Sequence, residues 1–196
     1  CNIIMKEIIL LGGGGHCKSV IDIIEELQEF KIVGIVDRKD LIGSEVLGYP
    51  VIASDEDIEK LALSYRYALV TVGQTKSPDI RIKLYSLAKK AGFEMPSIVS
   101  PRAYISKYSK IGDGTVVLHD SLINANSSIG NNCIVNSKAL IEHDVKIQDH
   151  CHISTNSVVN GGATVCEGSF IGSGAVVVNS IIVKKNSFIK AGTVAS

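Results

Sequence analysis

The chain has 196 residues, 20 basic and 20 acidic side chains for a formal charge of +0, and 45% hydrophobic residues. One ordinary domain or two small ones fit that length. The charge balance excludes the electrostatic footprint of a nucleic-acid or anionic-membrane binder, while phosphate-bearing small ligands stay open to recognition by backbone groups. No run of 18 apolar residues occurs and no basic segment leads into an apolar core. Neither a membrane span nor a signal peptide is expected, and the cytoplasm is the default compartment.

The cysteines at 1, 17, 133, 151 and 166 form no C-x-x-C pair, which speaks against a disulfide scaffold or a cysteine zinc knuckle. Cys133 and Cys151 are expected in the core. Residues 1–4 precede Met5, read as a leading remnant or poorly ordered start, and are set aside.

Glu7 to Leu11 is a short apolar run entering Gly12-Gly13-Gly14-Gly15. The segment after it places Cys17, Val20, Ile21, Ile24 and Leu27 on one helical face, which reads as strand, glycine turn, helix. Lys31 to Val36 is a second buried strand ending at Asp37, and Leu47 to Ile52 a weaker one. Ser54 with Asp57 forms a capping box for a helix through about Leu63. Tyr67 to Val72 is a third strand. Ser77 and Pro78 open a helix carrying Ile80, Leu84, Leu87, Ala88 and Ala91 on one face. Strands alternating with helices predict a small parallel sheet with right-handed crossovers.

A dinucleotide fingerprint is broken here, because Cys17 occupies the third glycine position. A bare glycine turn ahead of a helix N-terminus still suits a phosphate, and Asp37 stands where an acidic residue would meet a ribose or base edge. Gly13, Gly14, His16 and Asp37 are therefore candidate nucleotide-sugar contacts. A tight structural turn is the alternative.

Beyond about residue 103 the helical pattern stops. Ile105, Ile111, Val117, Ile123, Ile129, Val135, Ile141, Ile147, Ile153, Val159, Val165, Ile171, Val177, Val183 and Ile189 recur every sixth residue without a miss, and four residues after each comes a mostly small one. Six is neither the helical nor the strand period, whereas hexapeptide repetition matches a parallel β-helix in which short strands stack coil on coil. The anchors then point inward, about 4.8 Å apart between coils. Gly112, Gly114, Gly130, Gly161, Gly162, Gly172 and Gly174 are expected to relieve tight turns. Two domains follow, residues 5–98 and 103–196, joined near Ser97 to Arg102.

Three features together carry a resemblance: the opening Ile8-Ile9-Leu10-Leu11-Gly12-Gly13-Gly14-Gly15-His16, the sixfold repeat, and Ile141-Glu142-His143-Asp144-Val145 followed by His150-Cys151-His152-Ile153. The sequence resembles the left-handed β-helix acyltransferases that modify sugars in bacterial glycan pathways, such as the bacillosamine N-acetyltransferases and sialic acid O-acetyltransferases. The likeness implies an α/β N-terminal domain with a small parallel sheet that holds the nucleotide or sugar acceptor. It also implies an all-β left-handed parallel β-helix of 18-residue coils, a homotrimer, and acetyl-CoA as donor. It maps the general base onto His143, an acceptor contact onto Asn136, and acetyl-CoA contacts onto His152 and the backbone N–H of Gly161. Family members commonly continue into a Gly-x-Pro-Ala-Lys tail that helps hold the coenzyme, and this segment is absent here.

Acetyl transfer needs removal of the nucleophile's proton and stabilisation of an oxyanion. Imidazole suits the first because its pKa of about 6.5 lies near working pH. A neighbouring carboxylate, Glu142 by preference or Asp144, would fix its tautomer. With the 18-residue coil that the resemblance implies, His143 and His152 fall on different sides of the prism, so a shared site calls for two subunits. The expected reaction is N-acetylation of a nucleotide-linked amino sugar, with O-acetylation of a sialic-acid-like sugar as the alternative. His119 and His150 are read as structural. A zinc site built from His119, His143 and His150 finds no matched ligand spacing within a coil, so no metal is expected. A β-helical module without chemistry is the remaining rival.

Overall fold

The computed structural model describes residues 5–74 and 76–196; the readings that involve residues 1–4, Cys1 included, lie outside them. The chain forms two compact units, one of residues up to Gly73 with Ile80–Pro96, the other of Gln74–Asp79 with Ser97–Ser196. The short segment Gln74–Asp79 thus groups with the second unit, although in the sequence it falls inside the α/β pattern.

In the first unit the strands are β1 (Lys6–Leu11), β2 (Phe30–Val36), β3 (Glu45–Val46), β4 (Tyr49–Ala53) and β5 (Tyr67–Val70), in sheet order β3-β4-β2-β1-β5. All pairings are parallel except β3 with β4. Alternation along β1 sends Ile9 and Leu11 into a cluster with Val36, Val70, Leu84 and Ala88, while Ile8 and Leu10 are also fully buried. A sheet covered on both faces explains why β1 reads as an unbroken apolar run. Helix α1 (Gly15–Leu27) buries Cys17, Val20, Ile21, Ile23 and Ile24, and burial pushes the Cys17 thiol up to about 11.

Three local expectations shift. Leu47 lies in a turn, not a strand: with φ 50° at Leu47 and 84° at Gly48, these two residues close the β3–β4 hairpin in the doubly positive-φ manner that matches strand twist. The Ser54–Asp57 capping box is present, but the helix it leads into, α2 (Ile58–Leu61), stops short of Leu63. Helix α3 (Asp79–Ala91) buries Arg81, Leu84 and Ala88, leaving Ile80 63% exposed. The spacing 81, 84, 88 fits one helical face as well as the apolar set does, and the buried guanidinium hides it from a hydrophobicity reading.

The second unit is a three-sided parallel β-helix of two-residue strands. Its three sheets hold six, five and six strands, each strand paired with the one 18 residues on, as in Leu122↔Leu140, Ser128↔Lys146 and Ile134↔His152. Winding begins at β6 (Ile98–Val99), which pairs with Val116–Val117 inside the stretch read as a connector. The anchors from Val117 to Val183 form one core, together with Cys133, Ala139, Val145, Cys151, Ala163 and Ala175 from the position four residues on. At that position a small polar side chain reaches across to the neighbouring coil: Ser121 Oγ donates to Asn136 O (2.9 Å), Ser127 Oγ to Glu142 O (2.7 Å) and Ser169 Oγ to Lys184 O (2.8 Å). Cys151 Sγ does the same toward Cys166 O at 3.2 Å.

The corners are left-handed at the third residue after each anchor from Ile111 on: Asp120, Asn126, Asn132, Lys138, Asp144, His150, Asn156, Ser180 and Asn186 all have φ between 50 and 62°. Asn and Asp tolerate this region because their short polar side chains bond locally. Glycine fills the same place at Gly114, Gly162, Gly168, Gly174 and Gly192. Gly112, Gly130 and Gly172 serve differently. A Cβ on Gly112 would come 2.6 Å from the backbone of Gly130, and one on Gly172 2.7 Å from that of Ile189 or Lys190, so they permit close coil stacking instead of relieving a turn.

Candidate active site

In the first unit the C-terminal ends of β1 and β2 surround a cavity of about 430 Å³ lined by Gly12, Gly13, Gly14, Asp37, Arg38 and Lys83, among others. It lies beside β1, where the chain leaves toward β2 on one side and later returns as β5 on the other. Such a switch point is where open parallel sheets take ligands. Gly14 N-caps α1 without a side-chain hydrogen bond, and a Cβ on Gly14 or Gly15 would meet nothing within 4 Å.

Asp37 has a more local occupation than the sequence suggested. Its Oδ2 accepts the Gly13 amide at 2.6 Å and its Oδ1 the Arg38 amide at 2.7 Å. The carboxylate therefore shapes the turn, and the Gly13 amide is already engaged. His16 does not line the cavity. Its Nε2 is buried without a partner among the described residues, and burial first, then the charge of Arg81, pushes its pKa down to about 4. The imidazole is therefore uncharged at neutral pH.

In the second unit His143 follows the strand Leu140–Ile141, two residues past its anchor, with its side chain 61% exposed. Asp144, at the left-handed corner with φ 62°, bends back so that its Oδ2 accepts His143 Nδ1 at 2.8 Å. Its other oxygen accepts Asn126 Nδ2 at 2.6 Å. The preference for Glu142 gives way here: Glu142 Oε2 accepts Asn124 Nδ2 at 2.9 Å and acts on the imidazole only through its charge. The hydrogen bond to Asp144 holds the His143 pKa above its ordinary value; desolvation opposes it, and the charges of Asp144 and Glu142 add smaller upward contributions. The same contact, with Asn126, holds Asp144 below the usual carboxylate range.

Gly161 lies one coil from His143. A Cβ there would come 2.8 Å from Cε1 and 2.9 Å from Nε2 of the imidazole. At equivalent positions the amides of Asp113 and Asn131 donate to Asn131 Oδ1 (2.9 Å) and Asp149 Oδ1 (2.7 Å). Among the described residues the Gly161 amide has no acceptor.

Asn136 and His152 come together on another side of the prism, Asn136 Nδ2 lying 3.3 Å from His152 Nε2. His152 Nδ1 is 3.1 Å from Gln74 O. The carbonyl can only accept, so Nδ1 carries the proton and Nε2 receives the amide's. The ring is 6% exposed and meets Phe170 edge to face at 5.0 Å, and Phe170 stacks on Phe188. His152 is thus a buried, doubly engaged ring in one chain. His119 Nδ1 lies 2.7 Å from Ser100 Oγ and His150 Nδ1 3.0 Å from Asn132 Nδ2. No cluster of three His, Cys, Asp or Glu able to hold a metal occurs among the described residues, nor does a helix long and apolar enough to cross a membrane.

A glycine-turn α/β unit followed by a β-helix that displays a carboxylate-paired histidine over a glycine defines a class, and comparison with known proteins gives the same one. The PglD N-terminal domain family matches residues 7–86, and the bacterial transferase hexapeptide (six repeats) family matches residues 126–161. PerB from Caulobacter crescentus, solved in complex with CoA and GDP-perosamine, is 30% identical over 100% of this chain and 91% of its own, with a TM-score of 0.90. A variant of the Caulobacter crescentus perosamine N-acetyltransferase with a histidine replaced by asparagine, also with CoA and GDP-perosamine, is 29% identical over 100% and 91%, TM-score 0.90. The acetyltransferase domain of PglB from Neisseria gonorrhoeae FA1090, in complex with acetyl coenzyme A, is 27% identical over 98% and 91%, TM-score 0.90. No curated protein gave a match. The chain belongs to the hexapeptide-repeat, left-handed β-helix family of sugar N-acetyltransferases.

Proposed function

We propose that the chain transfers the acetyl group of acetyl-CoA to the amino group of a nucleotide-linked amino sugar, with His143 as general base. The observation that carries this reading is the His143–Asp144 pair set against Gly161. Asp144 accepts the hydrogen bond from Nδ1–H, which fixes the tautomer and leaves the Nε2 lone pair as the base. The acceptor amine loses a proton to Nε2 as its nitrogen attacks the thioester carbonyl. The new C–N bond forms, the negative charge gathers on the carbonyl oxygen, and the C–S bond then breaks. The imidazolium returns its proton to the departing thiolate, so His143 ends as it began. The unengaged Gly161 amide is a donor for the oxyanion, a contribution of about 3 kcal/mol for one such donor.

The acceptor's nucleotide belongs to the glycine-turn cavity, with Gly14 at the phosphates and the Gly13–Asp37 bond holding the turn. Asn136 and His152 stand on a different side of the prism from His143. A site that uses all three requires a second copy of the chain, which fits the homotrimer that the family likeness leads us to expect, with the cytoplasm as its compartment. A monomeric species with full turnover would contradict this part.

The test is thiol release from acetyl-CoA with a panel of acceptors, read together with product mass. Nucleotide-linked 4-amino sugars should be acetylated on nitrogen. Acetylation confined to the hydroxyls of a free or CMP-linked nonulosonate would replace the reading.

A further inference from the structure

We infer that Asn126 is a positioning residue for the reaction, acting on His143 through Asp144 from the preceding coil. Asn126 and Asp144 occupy the same corner 18 residues apart, with φ 60 and 62°. An exposed carboxylate at a corner has rotamers that point away from the ring beside it. Asn126 Nδ2 selects among them by binding Oδ1 at 2.6 Å, which leaves Oδ2 turned to His143 Nδ1 at 2.8 Å. The two bonds form one chain, amide to carboxylate to imidazole, and the amide end is anchored by β-helix backbone instead of by a mobile loop. Asparagine meets both demands of the place: it tolerates left-handed φ, and it offers a donor without adding a charge next to Asp144. One coil further on, the same corner is Gly162, so a side chain from that side cannot substitute.

The charged groups around the pair are Glu142, which acts on His143 electrostatically, and Lys110 and Lys146, which line a groove of about 460 Å³ together with Asn126 and Asp144. None is removed by the substitutions below. This inference rests on His143 as the base, and the experiment separates the two. Asn126→Gly deletes the donor while keeping the backbone unstrained. Asn126→Asp keeps size and φ but replaces the donor with a carboxylate. Asn156→Gly, at an equivalent corner with φ 55°, reports the cost of a corner glycine alone.

The readouts are the pH profile of kcat, the KM for acetyl-CoA, and the titration of the His143 imidazole followed by NMR. Asn126→Gly should lose roughly tenfold in kcat at neutral pH with KM nearly unchanged, as expected for a misaligned base, and both the acid limb and the NMR midpoint should move down. Asn126→Asp should move both up, because a second carboxylate favours imidazolium, while Asn156→Gly should leave both in place. Asn126→Gly with wild-type kcat and an unmoved His143 midpoint overturns the proposal. Full turnover in His143→Gln instead overturns the base assignment, and the Asn126 role falls with it.

Discussion

The imidazole of His143 occupies the space that a side chain on Gly161 would need, one coil away in the β-helix. The two groups that the proposed reaction calls for, an imidazole and a backbone amide, therefore stand one coil apart, set by the 18-residue register.

Gly161→Ala should consequently displace the imidazole. The β-helix core does not include this position, so thermal stability should change little, whereas kcat/KM should fall by about tenfold or more. Wild-type kcat/KM in a folded Gly161→Ala protein would show that the base does not work from the observed rotamer.

The pH dependence follows from the Asp144 contact. Because that hydrogen bond raises the His143 pKa, the neutral, competent form is lost as pH falls through a midpoint above the ordinary imidazole value. In Asp144→Asn the acid limb of kcat/KM should move to lower pH, while turnover drops as the tautomer is no longer fixed. An acid limb that stayed in place would remove Asp144 from the pair.

His16 makes a stability prediction independent of catalysis. Its folded pKa is depressed to about 4 from 6.5, so between those values the unfolded chain binds a proton that the folded one does not. The stability is fully present above about pH 6.5 and declines as pH falls toward 4, by roughly 3 kcal/mol at most. Urea denaturation at pH 7 and at pH 4.5 should show that slope in the natural chain and a flatter one in His16→Gln.

Ile141 is fully buried under the site. Ile141→Ala should cost about 2 to 5 kcal/mol as a cavity between coils, measured by chemical denaturation. A cost below 1 kcal/mol would mean that the anchors do not carry the stack.

The architecture was legible because the β-helix is periodic: every anchor from Ile105 to Ile189 enters the coils at the register that the sixfold spacing predicts. What the sequence concealed lies across coils or hinges on backbone conformation. Asp144 displaces Glu142 because a left-handed corner turns its carboxylate back. Asn126 is invisible by proximity, yet it sits one 18-residue coil before Asp144, a spacing that exposes it once the register is known. Gly130 looks like a turn former and is a stacking glycine. His16, read as a ligand contact, does not line the glycine-turn cavity, and its buried Nε2 has no partner among the described residues. In α3, Leu84, Leu87, Ala88 and Ala91 lie in or against the core as read, and only Ile80 gives up its place, Arg81 being buried instead.

The most direct test of the central claim is initial-rate thiol release from acetyl-CoA with a nucleotide-linked amino sugar, comparing the natural chain with His143→Gln at neutral pH. The natural chain should give N-acetylated product, and the folded variant a rate lower by about 100-fold or more. Equal rates from the two, or no transfer to the amine by the natural chain, would contradict it.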